Sequence, residues 1–178
     1  MDKTEFSEFI DYEIGKKWRG VKSIFIPLFP ELHAVYLYRK SQYHASNKGI
    51  FHKFKKKYYE VQLVRLYGII ASPNAIIGKG LKFIHPISIV IGSSVVAGEN
   101  LHIYQNTTLG GARIGDVLEG NQPKLGDNVT IFSGAAVLGN IKLGDNVVVA
   151  ANSTLLQDAP SNSICSICVG SPARIIVK

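Results

Sequence analysis

The sequence has little cysteine, few acids and no long apolar run. Two cysteines in 178 residues are too few for a disulfide framework, so a reducing compartment is expected. No apolar run reaches the ~18 residues of a membrane-spanning helix, and the start Met1-Asp2-Lys3-Thr4-Glu5 lacks the basic opening of a signal peptide. A cytoplasmic protein is the resulting expectation. The five histidines are scattered without metal-ligand spacing, so no metal site is expected. Thirteen Asp and Glu stand against 20 Lys and Arg, giving +7. With 46% hydrophobic and 19% charged residues, a disordered chain is excluded, and the length suits one domain with a real core.

What is present is unevenly distributed. Only Gly15, Gly20 and Gly49 fall within residues 1–65, whereas the other 14 glycines lie beyond. Residues 1–65 hold 13 Lys and Arg against 7 Asp and Glu, net +6, while residues 66–178 are net +1. Three segments are predicted: a helical, basic region over 1–66, a repeat region over 67–160 with an excursion at 111–122, and a closing segment over 161–178.

The first region reads helical. Thr4 or Ser7 is placed to cap a helix running from Glu5 to Glu13, with Lys16 and Lys17 near its end, as the helix dipole favours. Pro27 and Pro30 interrupt the next apolar stretch, and further helices are predicted over 31–41 and 51–67. Lys53, Lys55, Lys56 and Lys57 are interleaved with Phe51, Phe54, Tyr58 and Tyr59. That cluster fits a solvated face beside a packed aromatic one, or peripheral contact with the cytoplasmic face of an anionic membrane. Nucleic-acid binding is not expected, because no reading helix or zinc spacing accompanies the charge.

From residue 77 an apolar residue recurs every six positions. Ile77, Phe83, Ile89, Val95 and Leu101 read as one phase, and Leu125, Ile131, Val137, Leu143, Val149 and Leu155 resume it. Val129, Ala135, Ile141 and Val147 form a second phase two residues earlier. A period of six matches neither the ~3.6-residue turn of a helix nor a long alternating strand. It fits short strands joined by tight turns, three to a coil, stacked as a β-helix around an aliphatic ladder. Asp127-Asn128 and Asp145-Asn146 supply turn residues. The segment 111–122 has no sixfold phase, so it is predicted to loop out from the coil, where binding sites commonly form.

Several stretches carry a resemblance: Ile77-Gly78-Lys79-Gly80, Ile89-Val90-Ile91-Gly92, Ile103-Tyr104-Gln105-Asn106-Thr107-Thr108-Leu109-Gly110-Gly111, Pro123-Lys124-Leu125-Gly126, Val137-Leu138-Gly139-Asn140-Ile141 and Val169-Gly170-Ser171-Pro172-Ala173-Arg174-Ile175. Together they resemble the left-handed β-helix acyltransferases, most of all the serine acetyltransferase branch, over roughly two thirds of the chain. The resemblance implies a mainly β protein, a left-handed parallel β-helix with a short N-terminal helical region. It also implies homotrimers with active sites between subunits, and acyl transfer from acetyl-CoA to a hydroxyl or amine. The family's base matches His85, in Phe83-Ile84-His85-Pro86. Chemistry agrees, since an alcohol of pKa about 16 needs a base to attack a thioester and a neutral imidazole suits that near pH 7. The resemblance further implies coenzyme A contacts from Gly111, Ser133, Gly134 and Ala151, with Arg113, Lys124, Arg174 and Lys178 as phosphate partners. His102 is a weaker candidate to line the cleft, whereas His33, His44 and His52 read as structural or surface residues. Cys165 and Cys168 read as small apolar fillers of a strand.

The chain departs from the family's pattern around the acceptor. The family's aspartate fifteen residues before the base is Ile70 here, and the aspartate directly before the base is Ile84. Its Asp-Arg-His-Pro stretch becomes Gly120-Asn121-Gln122-Pro123. An amino acid's carboxylate and ammonium thereby lose complementary charges, and Ile84, Glu119, Asn121 and Gln122 are expected to form an acceptor site for a neutral polyol. Glu119, Asp116 or a backbone carbonyl is left to orient His85. The leading expectation is an O-acetyltransferase acting on a saccharide hydroxyl of a capsule, exopolysaccharide or O-antigen, with a lipid-linked acceptor at the inner membrane included. A serine O-acetyltransferase with a divergent acceptor site, an N-acetyltransferase on an amino sugar, and a non-catalytic trimeric scaffold are the alternatives. With about 65 helical residues, a plain trimer rather than paired trimers is expected.

Overall fold

The computed structural model describes residues 1–18, 20–166 and 174–177. Asp2, not Thr4 or Ser7, caps helix α1 (Lys3–Ile10), its Oδ1 accepting the Glu5 N–H at 2.8 Å. A π-helical turn over Asp11–Gly15 follows where the sequence suggested a continuous helix to Glu13. Beyond a 3-10 stretch at Gly20–Leu28, Pro30 opens α2 (Pro30–Ser46). Its missing N–H is tolerated in the first turn, so this proline starts a helix that runs five residues past the predicted end. Helix α3 (Ile50–Tyr67) stops at Gly68, whose φ of 63° is left-handed and whose N–H returns to the Val64 carbonyl at 2.9 Å.

From Ile70 the chain winds into a β-helix with three faces. One face stacks Ile70–Ala71, Val90–Ile91, Thr108–Gly110, Ala136–Leu138 and Thr154–Leu155 in parallel. The second stacks Ile76–Ile77, Val96–Ala97, Lys124–Leu125 and Lys142–Leu143. The third stacks Lys82–Phe83, His102–Ile103, Thr130–Ile131, Val148–Val149 and Ser163–Ser166, with Arg174–Val177 added antiparallel. In each two-residue strand the second side chain points inward, so Phe83, Ile103, Ile131, Val149 and Cys165 form a buried ladder on the third face. Each such side chain contributes roughly 1.5–3 kcal/mol by burial. At one corner Asn100, Asn128, Asn146 and Asn162 hold φ near +60°, a conformation asparagine tolerates. Their amides hydrogen-bond from coil to coil, Asn128 Nδ2 donating to Asn146 Oδ1 at 3.2 Å.

The single phase read from Ile77 to Leu101 is corrected by the register. Phe83 pairs with Ile103, but the next residue of its own ladder along the chain is Ile91, eight positions on rather than six. A strict six-residue step therefore crosses at Phe83 from one ladder to the other. Ile91, Ala97, Ile103 and Leu109 continue the ladder of Phe83, whereas Ile89, Val95 and Leu101 belong two residues earlier with Val129, Ala135 and Val147.

A parallel β-helix exposes unpaired backbone groups at its first coil, and the helices meet them. Tyr38 donates its hydroxyl to Ser72 O, Gln42 its amide to Ala75 O, and Arg39 its guanidinium to Ile77 O and Gly78 O, at 2.6–3.1 Å. Glu13 Oε1 accepts the N–H groups of Gly80 and Leu81, both at 3.0 Å. Glu13 and Arg39 pair with each other, with both side chains fully buried.

Candidate active site

The eight-residue interval that upsets the repeat contains His85, and the hydrogen bonds identify the two additional residues. Ile84 N donates to Ile103 O as Tyr104 N donates to Ile131 O, so Ile84 and Tyr104 are equivalent. Asn106 N donates to Ile87 O as Gly134 N donates to Gln105 O, so Ile87 and Gln105 are equivalent. The residues without a counterpart are His85 and Pro86. His85 takes φ +54°, Ser88 takes φ +53°, and Ile87 N closes back on His85 O at 2.7 Å. This tight turn pushes an exposed imidazole out at the corner between the third and first faces, with Pro86 buried beneath.

Below His85 lies an aromatic column. Tyr104 meets the imidazole edge-on with centroids 6.2 Å apart, and Phe132 packs against Tyr104 at 4.8 Å. Among the described residues no carboxylate hydrogen-bonds to His85. Ile84 is half-buried and Ile70 is exposed, with no polar group at either place. Tyr104, Phe132 and Gln105, whose Oε1 is buried without a partner among the described residues, were given no site role from sequence, although Tyr104 and Gln105 lie in one of the resembling stretches. Their signal was their equivalence across coils, which becomes readable once the insertion is placed.

The same bonding pattern locates the residues expected to meet coenzyme A. Asn152 N donates to Ser133 O, so Ile87, Gln105, Ser133 and Ala151 occupy one position in successive coils, and Ser88, Asn106, Gly134 and Asn152 the next. Ser133, Gly134 and Ala151 thus share the corner of His85, with Ala151 about 14 Å along the axis at the usual ~4.8 Å strand spacing. Gly111, Arg113 and Lys124 do not share it. They lie at or beyond the following corner, where the chain passes from the first to the second face. A Cβ on Gly111 would approach Asp116 Cβ to 2.6 Å, so this glycine serves the loop's own packing. Only the strand backbone of Arg174 is described, while Cys168 and Lys178 lie outside the described residues.

The excursion loop corrects two further expectations. Asp116 is buried, and its Oδ2 accepts the N–H groups of Ala112 and Arg113, both at 2.7 Å. The Arg113 N–H bond holds its carboxyl below the usual range, and the group is committed to closing the turn rather than to orienting His85. Gln122 is fully buried, its Oε1 accepting Ser94 N–H at 2.8 Å, and a Cβ on Gly92 would sit 2.6 Å from Gln122 Cδ. It therefore seals two coils together instead of presenting itself to an acceptor, although its Nε2 has no partner among the described residues. Asn121 Nδ2 donates to Glu119 Oε2 at 2.8 Å on the exposed side of the loop. A groove of about 510 Å³ lies there, lined by Arg113, Asn121, Asn140 and Leu156 among others.

The remaining histidines fall elsewhere. His102 lies on the third face beside Lys82, and burial, then that lysine, hold its pKa below the ordinary value. His33 bonds Tyr67 Oη at 2.8 Å, and the Nδ1 atoms of His44 and His52 are 2.9 Å apart. Cys165 is buried in its strand, where burial pushes the thiol pKa up.

Comparison with known proteins agrees with this architecture. The family described as bacterial transferase hexapeptide (six repeats) matches residues 122–157. A serine acetyltransferase of Staphylococcus aureus strain Mu50 is 42% identical over 134 residues, covering 71% of this chain and 61% of the relative. One from Staphylococcus epidermidis strain RP62A is 42% identical over 116 residues, covering 65% and 52%. The chain thus spans about three fifths or less of these relatives. Among solved structures, Neisseria gonorrhoeae serine acetyltransferase in complex with serine superposes with a TM-score of 0.78 at 27% identity, over 98% of this chain and 70% of that one. A serine acetyltransferase complex with CoA gives 0.73 at 27% identity, over 98% and 71%.

Proposed function

Given a chain of the left-handed β-helix, hexapeptide-repeat acyltransferase class, we propose that it is an acetyl-CoA-dependent O-acetyltransferase with His85 as general base. The observation that carries this reading is the His85-Pro86 insertion, which lifts one imidazole out of the corner of the coil. Neutral His85 takes the proton of the acceptor hydroxyl as its oxygen attacks the thioester carbonyl. The tetrahedral oxyanion collapses, the C–S bond breaks, and the imidazolium returns the proton to the departing CoA thiolate. Ser133, Gly134 and Ala151 give the pantetheine arm a small-residue path along the same corner. Because Arg113, Asn121 and Lys124 are separated from that corner within one chain, a neighbouring subunit of a trimer supplies that part of the site.

Serine is the acceptor that the 42% identical relatives support by name. A second reading, a saccharide hydroxyl, is favoured by the residues themselves. Ile70 and Ile84 are apolar where the resembling family carries carboxylates, and buried Gln122 offers no charge to an amino acid. Release of free CoA thiol from acetyl-CoA, followed with serine and with a panel of sugars and oligosaccharides, separates the two. His85→Ala is expected to lower kcat by ~10²–10⁴-fold with either acceptor while leaving the fold intact. Transfer at the wild-type rate by that variant refutes the proposal. Transfer to sugars with serine inert selects the second reading.

A further inference from the structure

The outer face of α3 is unlike that of an ordinary surface helix. Ile50, Phe51, Phe54, Tyr58, Val61 and Val64 are all exposed, Ile50 by 69% and Phe54 by 70%. Their spacing of three and four places them on one stripe, opposite Leu63, Tyr59 and Tyr67, which pack on the core. Exposed Lys53, Lys57 and Arg65 lie along the stripe, and Lys55 Nζ sits 4.4 Å over the Phe51 ring. The helix carries one acid, Glu60, which lies 3.9 Å from Lys56. The stripe continues through Val61, Val64 and Arg65 into a groove of about 470 Å³ that reaches Ile70, itself 60% exposed.

We infer that this face docks on an anionic lipid surface. The apolar side chains enter the boundary between headgroups and acyl chains, and Lys53, Lys57 and Arg65 meet lipid phosphates. Charge selects the occupant. A second copy of α3 would set the same cations against one another with no free carboxylate on the helix to offset them. A nucleic acid would satisfy the cations but leave six large apolar side chains without a partner. Among the described residues no helix is long and apolar enough to cross a membrane, so the contact proposed is with the surface. It is independent of which acceptor the His85 site uses.

Flotation of the full chain with phosphatidylcholine vesicles, with and without phosphatidylglycerol, tests this. Binding is expected only with phosphatidylglycerol and is expected to weaken as salt rises. The triple variant K53E/K57E/R65E should lose about fivefold in partitioning per cation removed, ~100-fold in all. F54S/V61S should also detach the chain while preserving its charge. Circular dichroism checks that both variants fold; should F54S/V61S unfold, the charge variant decides alone. Failure to float with the anionic vesicles, or flotation that the charge variant retains, overturns the inference. So does a result in which F54S/V61S lowers the oligomeric mass in sedimentation and leaves flotation unchanged.

Discussion

In the coil, strand carbonyls meet amides one turn away along the axis, and each inward side chain stacks on its equivalent in the next turn. In α1, α2 and α3 the backbone bonds stay almost wholly within the element, and tertiary contact falls to side chains that do not repeat, apolar ones such as Leu37 and Leu63 and polar ones such as Tyr38, Arg39 and Gln42. The coil is stabilised by repetition, so no one residue in it is unique. The helical region is attached by a few unrepeated contacts, so each of them matters. Chemistry follows the same division: the imidazole of His85 stands where the coil's repetition is interrupted, and the excursion at 111–122 is the other interruption.

The seam between the two regions offers the largest expected effect. Glu13→Ala leaves Arg39 buried without its counter-charge and removes the acceptor of Gly80 and Leu81 N–H. A loss of ~3–5 kcal/mol is expected in urea denaturation. Stability unchanged within ~0.5 kcal/mol would show that the helices do not depend on this pair.

A smaller effect sets the two regions apart by pH. His44, buried between α2 and α3, has its pKa held down to about 4 by burial first, then by His52, Lys55 and Lys40. Tyr59 stacks on its ring and Tyr43 meets it edge-on. A depressed histidine pKa means that the unfolded chain takes up the proton first. Stability is therefore complete above pH 6.5 and is lost as pH falls from 6.5 toward about 4. The thermal midpoint followed by helical circular dichroism should drop by several degrees across that window, and His44→Gln should flatten the drop. An equal drop in the variant would remove His44 as its source.

The coil was legible in the sequence because a backbone period of six forces an apolar period of six. The insertion at His85-Pro86 was not, because both ladders are apolar: stepping six from Phe83 lands on Ile89, a core residue of the wrong ladder. The histidine itself was found by resemblance rather than by spacing. Glu13 and Arg39 were illegible as a pair, lying 26 positions apart, and the carbonyls they serve become unpaired only once the coil exists. Asp116 was misread although its partners Ala112 and Arg113 are local, since a turn-closing carboxylate looks like any acid in a loop. Gln122 was misread because its partner Ser94 lies in the preceding coil.

On this reading the two-residue interruption exists to present His85 rather than to build the coil. Deleting His85 and Pro86 together restores a six-residue step from Phe83 to Ile91, with Ile84-Ile87-Ser88 replacing the bulge as Tyr104-Gln105-Asn106 do one coil on. Measured side by side for thermal unfolding and for acetyl-CoA thiol release, the deletion variant is predicted to melt no lower than wild type and to release no acceptor-dependent thiol. Retained transfer, or a coil that no longer folds, would contradict the claim.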